Sequence, residues 1–125
     1  MTIDKEYREF HQVAMAADDW HVPPGYPEGI EQKILAGALD EAGRRGNRTR
    51  LLRFKPGAFT TRPFIHDYWE EVYVVSGDLR MGSESFMTDS YACRPPGVLH
   101  GPFRSDRGCV LLEIHYYDPS DPGIS

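Results

Sequence analysis

From residue 50 to residue 117 the chain is interrupted every few residues by glycine, proline or aspartate, and the pieces between are short runs rich in valine, tyrosine, leucine and phenylalanine. Runs this short leave no room for helices. Short strands at close spacing, joined by tight turns, fit a β-sandwich or a closed barrel. The runs lie at 50–54, 59–66, 70–76, 79–81, 85–87, 91–94, 98–103 and 109–117, with Pro56-Gly57 and Pro95-Pro96-Gly97 among the turns and Gly77-Asp78 closing the third run. In the last run Val110, Leu112, Ile114 and Tyr116 share one face, while Glu113, His115 and Tyr117 share the other. The apolar set reads as core. The polar set reads as solvated, or as projecting into a cavity.

Upstream the pattern changes. Ile3, Tyr7, Phe10, Ala14 and Ala17 alternate at spacings of four and three, which predicts a short N-terminal helix over 3–17 docked on the barrel or on a partner subunit, with His11 at the surface. Residues 20–30 carry too many prolines and glycines for regular structure. A short apolar run around Ile34 and Leu35 follows, then a polar loop over 40–49 with solvated arginines. The organisation expected is a helical arm at 1–20, a barrel at 21–119 and a flexible tail at 120–125.

The 125 residues suit one domain. A net charge of -5 and a pI of about 5.5 argue against a nucleic-acid partner, which requires a basic face. No apolar run is long enough to span a membrane, the polar face of the predicted helix mixes both charge signs, and the first ten residues are too charged for a signal peptide. Cys93 and Cys109 form no metal-binding spacing and read as two reduced core thiols of a cytoplasmic protein.

Chemistry concentrates at three residues. His66 and Glu70 flank the short turn Asp67-Tyr68-Trp69, and His100 follows the rigid Pro95-Pro96-Gly97 turn. Two histidines and one carboxylate can hold one divalent ion (Fe, Mn, Zn or Ni) and leave coordination positions open for water or substrate.

The stretch from Gly57 to Gly77 resembles the first motif of the cupins: a glycine, a histidine-x-histidine pair, a glutamate three or four residues on, and a glycine after six more. Glu70 stands with EVYVVS between it and Gly77, and His66 matches the second histidine of the pair. Pro95-Pro96-Gly97-Val98-Leu99-His100 resembles the second motif, proline-x-glycine-x-x-histidine. The Glu-Glu pair and the Pro-Phe after His100 are most similar to the ChrR-like branch, which includes a zinc-binding regulatory domain attached to an anti-sigma factor. The resemblance implies an all-β, cupin-type antiparallel β-barrel (a double-stranded β-helix or jelly roll), commonly a homodimer, with metal ligands His66, Glu70 and His100.

One position departs from the pattern. Phe64 stands where the first histidine of the pair belongs. Three readings follow: a metal held by three residues beside a drier wall, which is preferred, a weakly held metal, or a metal-free binding pocket. Glu71 is set aside as a ligand because the six-residue interval selects Glu70 and adjacent strand residues face opposite sides. Phe64, Arg62, which lies two positions before it and shares its face by strand alternation, and Tyr68 and Trp69, in the turn beside the ligands, are candidate pocket residues. Arg62, Tyr68 and His115 are the candidates for a catalytic role, His115 as a proton carrier, although a surface position is preferred for it. The function expected is a metal-dependent cupin acting on a small organic molecule, in the manner of dioxygenases of diketones or aromatic ketones. The alternatives are a non-catalytic metal- or ligand-binding sensor and an isomerase or decarboxylase.

Overall fold

The structure, a computed structural model, describes residues 5–9, 12–13 and 17–118. Seven strands occur among them: β1 (Ile30–Asp40), β2 (Arg45–Phe54), β3 (Trp69–Met81), β4 (Glu84–Met87), β5 (Tyr91–Arg94), β6 (Phe103–Arg104) and β7 (Cys109–Tyr116). All neighbours pair antiparallel. The path β1-β2-β7-β3 builds one wall, with β5 beside the first half of β3. The second half of β3 pairs with β4 and β6 and builds the other wall. The fold is therefore the all-β antiparallel barrel that the strand pattern predicts.

β3 serves both walls because it bends at Gly77. That residue has φ of +81°, and the register of β3 against β7 slips between Val74 and Ser76. The Gly77-Asp78 pair thus bends one long strand at a bulge and does not end it. A Cβ at position 77 would lie 1.9 Å from the Gly108 carbonyl oxygen. Gly77→Ala therefore meets both a backbone clash and a left-handed conformation, and it should cost at least about 3 kcal/mol in urea unfolding. Gly57 also has φ of +82°, but nothing lies within 4 Å of its would-be Cβ, so Gly57→Ala should cost only about 1 kcal/mol.

Three rows of side chains run across β2, β7 and β3 on the inner face. Register places Leu52, Leu111 and Val74 in the lowest row, Arg50, Glu113 and Val72 in the next, and Arg48, His115 and Glu70 in the third. The barrel thus has an apolar floor, which Ile30, Phe54, Leu79 and Phe103 complete, and a polar upper half.

This gradient overturns the face assignment made for the last strand. Glu113 and His115 are buried together with Cys109 and Leu111, whereas Ile114 is exposed and Leu112 half-buried. The polar face is the interior because every charge on it has a partner, which removes the usual penalty for burying it. The loop expected over 40–49 is, for the same reason, a hairpin: a four-residue turn and then β2, whose Arg48 and Arg50 alternate inward with Leu52 and Phe54.

The run at 59–66 forms no strand. It meets its neighbours at isolated bridges, Phe59 with Arg104 and Phe64 with His100, since Pro63 offers no backbone donor between them. The run at 98–103 likewise contributes only the His100 bridge and the start of β6. No described residue is helical. Ile3, Phe10, His11 and Ala14 lie outside the described residues, while the Glu6 carbonyl accepts a hydrogen bond of 2.6 Å from the Gly37 amide, so this stretch caps the open edge of β1. Nearer the barrel, Lys33 is fully buried beneath Asp19 and the Trp20 ring, which also stacks on Arg53 at 4.1 Å. Both cysteines are free, but only Cys109 is in the core; Cys93 faces outward from β5 and is exposed.

Candidate metal centre

His66, Glu70 and His100 come together at the polar end of the barrel. His66 Nε2 lies 3.7 Å from Glu70 Oε2, and His100 Nε2 lies 4.0 Å from the same oxygen. The three ligand atoms fall within 4.8 Å of one another. Each comes from a different kind of support. Glu70 is held by the paired start of β3, His66 by the turn before it, and His100 by its bridge to Phe64, whose two backbone hydrogen bonds measure 2.7 and 2.9 Å.

The imidazoles are oriented by backbone. His66 Nδ1–H donates to the Tyr68 carbonyl at 2.8 Å, and His100 Nδ1–H to the Val98 carbonyl at 3.0 Å. This leaves both Nε2 atoms with a lone pair aimed at Glu70. His66 Nε2 is buried and has no hydrogen-bond partner. A buried lone pair without a donor is costly in an apo protein and is satisfied by a cation, so these residues fit a divalent ion. Burial and then the Arg94 charge push His100 below its ordinary value, which keeps its ring neutral and able to ligate.

Glu70 is ionised. Burial opposes its charge, but the hydrogen bond from His115 and the charge of Arg94 outweigh burial and hold the carboxyl well below the usual range. His115 Nε2–H donates to Glu70 Oε1 at 2.8 Å, so Oε2 is the oxygen left to face the two histidines. Arg48 sets the tautomer by donating from Nε at 3.1 Å and from Nη2 at 2.7 Å to His115 Nδ1. His115 is fully buried and stands behind Glu70, contrary to the surface position preferred from sequence.

A cavity of about 360 Å³ opens beside the trio. Arg48, Arg50, Arg94 and Glu113 line its polar side, and Phe64, Leu79 and Phe103 its apolar side. Phe64 does face the cavity, stacked on Tyr26 at 4.9 Å between ring centroids. Tyr68 lines it too and lies flat on His66 at 4.1 Å. Trp69 does not, because it starts β3 on the face opposite Glu70. Arg62 is exposed and lines a separate outer groove; with no regular strand at 59–66, the alternation that placed it beside Phe64 does not hold. Glu71 points outward and accepts a hydrogen bond from Tyr91 Oη at 2.6 Å.

Sequence reading missed the arginines of the inner face. Arg50 donates from Nε to Glu113 Oε1 at 2.9 Å and from Nη1 to Gln32 Oε1 at 2.8 Å, all buried. Arg94 approaches Glu70 Oε2 at 3.2 Å with its guanidinium 4.5 Å over the Phe103 ring. The signal available was the alternation Arg48-x-Arg50-x-Leu52-x-Phe54. The turn bearing Tyr68 is tied down by Asp67, which accepts from Arg44 at 2.7 Å and from Tyr117 Oη at 2.6 Å.

Residues 9–117 match the family described as ChrR Cupin-like domain. No curated protein sequence matches the chain. Among solved structures the chain is similar to an acetylacetone dioxygenase from Acinetobacter johnsonii, with TM-score 0.67, 14% identity, and 89% of this chain and 76% of that one covered. It is also similar to the polyketide cyclase RemF from Streptomyces resistomycificus, with TM-score 0.64, 17% identity, and coverage of 92% and 87%. A third similar structure is Rhodobacter sphaeroides SigE in complex with the anti-sigma ChrR, with TM-score 0.60 and 20% identity; 84% of this chain matches 52% of that one. At these identities the likenesses show the fold. No described helix is long and apolar enough to cross a membrane.

Proposed function

The chain belongs to the ChrR Cupin-like family, and from that premise we propose that it holds one divalent metal ion on His66, Glu70 and His100 and acts on a small organic molecule admitted to the adjoining cavity. The observation that carries this reading is the pair of histidine Nε2 lone pairs, one of them buried and unpartnered, converging on an ionised carboxylate oxygen. When bound, such an ion polarises a ligand oxygen or, as Fe(II), engages dioxygen.

The protein's own residues do the rest. His115 and Arg48 fix the direction of Glu70. Tyr68 stacks on His66 and limits its rotation. Phe64, Phe103 and Leu79 keep one side of the cavity dry and receive an apolar body. The fold shared with a dioxygenase of a diketone and with a polyketide cyclase supports ketone-bearing substrates, so a dioxygenase of diketones or aromatic ketones is the specific reading.

Oxygen uptake tests it. Fe(II)-reconstituted protein should consume oxygen with a member of a panel of diketones and dihydroxyphenyl ketones, and the same preparation of His100→Ala should not. A panel that yields no uptake from metal-loaded protein would shift the reading to a metal-binding module without catalysis. The likeness to the anti-sigma ChrR structure, and Phe64 in the place of a further histidine, favour that second reading.

A further inference from the structure

We propose that the cavity takes a small organic carboxylate, whose charge is received by Arg48 and Arg94 and whose apolar or aromatic body rests against Phe64, Phe103 and Leu79. The inference deepens the metal reading by naming the chemical class of the ligand at that site.

Charge is the first argument. Three arginines, Arg48, Arg50 and Arg94, line the cavity together with two buried carboxylates, Glu70 and Glu113, which leaves one positive charge in excess. Glu41 also lines it, but sits exposed at the rim in the turn between β1 and β2, where solvent screens it. A divalent ion on the trio would raise the inner excess to three. An interior of that charge favours an anion and disfavours a cation.

The second argument separates the three arginines by what they already hold. Arg50 is consumed by its ion pair with Glu113 at 2.8 Å and by its bond to Gln32. Arg48 has no carboxylate within ion-pair distance among the described residues; its Nε and Nη2 are both spent on one nitrogen of His115, which leaves Nη1 to receive a further acceptor. Arg94 has one carboxylate contact, with Glu70 Oε2, and that is the oxygen the trio points at. Its buried Nε makes no hydrogen bond. When Glu70 Oε2 is engaged by an ion, Arg94 loses its only anionic partner among the described residues. Two guanidinium groups on one cavity would then lack a counter-charge, and a carboxylate matches the donor fork of either.

Shape supplies the third argument. Phe64, Leu79 and Phe103 supply the apolar lining, and the Arg94 guanidinium sits 4.5 Å over the Phe103 ring, so charge and hydrocarbon surface meet at one edge. A cavity of about 360 Å³ with one charged and one apolar side suits a compact acid with a hydrocarbon or aryl body. A bare inorganic anion would leave the apolar wall unfilled.

Titration calorimetry on the full chain loaded with Zn(II), which cannot turn over oxygen, tests this with a matched pair of probes, phenylacetate and phenylacetamide. The acid should bind at least tenfold more tightly than the amide. Arg94→Gln and Arg48→Gln, each titrated at saturating zinc with one ion per chain verified by atomic emission, should weaken the acid at least fivefold and weaken the amide less than twofold. Equal affinities for acid and amide, no binding of the acid at millimolar concentration, or an acid preference that survives both substitutions would overturn the proposal. The same titration on chelator-stripped protein keeps the two readings apart. An arginine-dependent acid preference in a chain that takes up no metal would uphold the carboxylate site and sink the metal centre. Stoichiometric zinc with no acid preference would do the reverse.

Discussion

His66→Ala or His100→Ala will lower affinity for a divalent ion at least about a hundredfold, as read by competition with a chromophoric chelator, because each removes one of the three proposed ligands and the neighbouring His115 nitrogen is held by its hydrogen bond to Glu70. The fold should survive both changes, since each imidazole lies at the polar end of the barrel, away from the apolar floor built by Leu52, Val74 and Leu111. His115→Gln should weaken binding by about 10- to 100-fold while leaving the stoichiometry at one, because it frees Glu70 to turn away and does not remove a ligand. Phe64→His should move affinity the other way. Phe64 faces the cavity and is bridged to His100 through the backbone, so an imidazole there adds a donor beside the other two histidines. Wild-type protein as free of metal as His66→Ala after purification without chelator would remove the basis for the centre, and weaker binding by Phe64→His would show that its side chain cannot reach.

The local motifs around this centre were legible in the sequence because they are matters of spacing. The interval from Glu70 to Gly77 is the stretch of β3 between the candidate centre and the bulge, and a residue with a Cβ cannot occupy position 77. The approach of His100 depends on the turn before it. Which way the last strand faces was not legible. Alternation assigns Glu113, His115 and Tyr117 to one side of β7 and Val110, Leu112 and Ile114 to the other, and hydrophobicity then picks the wrong side as core. The rule fails because each inward charge has a partner on a neighbouring strand: Arg50 opposite Glu113, Arg48 opposite His115, and Glu70 opposite His115. Those pairings depend on register, which no single segment encodes. Arg62 was misplaced because strand alternation was extended through a stretch that Pro63 prevents from being a strand, and Trp69, read as part of the turn beside the ligands, instead starts β3 on the face opposite Glu70.

Arg50→Met will destabilise the protein by about 3–5 kcal/mol, a fall in Tm on the order of 10–20 °C for a domain of this size. The loss comes less from the contact removed than from what remains: Glu113, almost fully buried, with no cation beside it and with the Glu70 charge nearby. Burial and the Glu70 charge both oppose ionisation of Glu113, and Arg50 is the main group that holds its pKa below the ordinary 4.5. The pH dependence follows from that sign. In the wild type, Glu113 binds a proton less readily folded than unfolded, so the stability it contributes is present above about pH 4.5 and drains away as pH falls through the lower folded value. With Arg50 gone the order reverses, and protonation of Glu113 relieves the buried charge. The stability gap between wild type and Arg50→Met should therefore narrow steadily as pH falls from 7 toward 4.5. Replacing both partners, as Arg50→Met with Glu113→Leu, should recover much of the loss, since no isolated charge is then left in the barrel. A single substitution that costs under about 1 kcal/mol, or a gap that does not change with pH, would mean that water reaches Glu113 and that the polar upper half of the barrel is solvated.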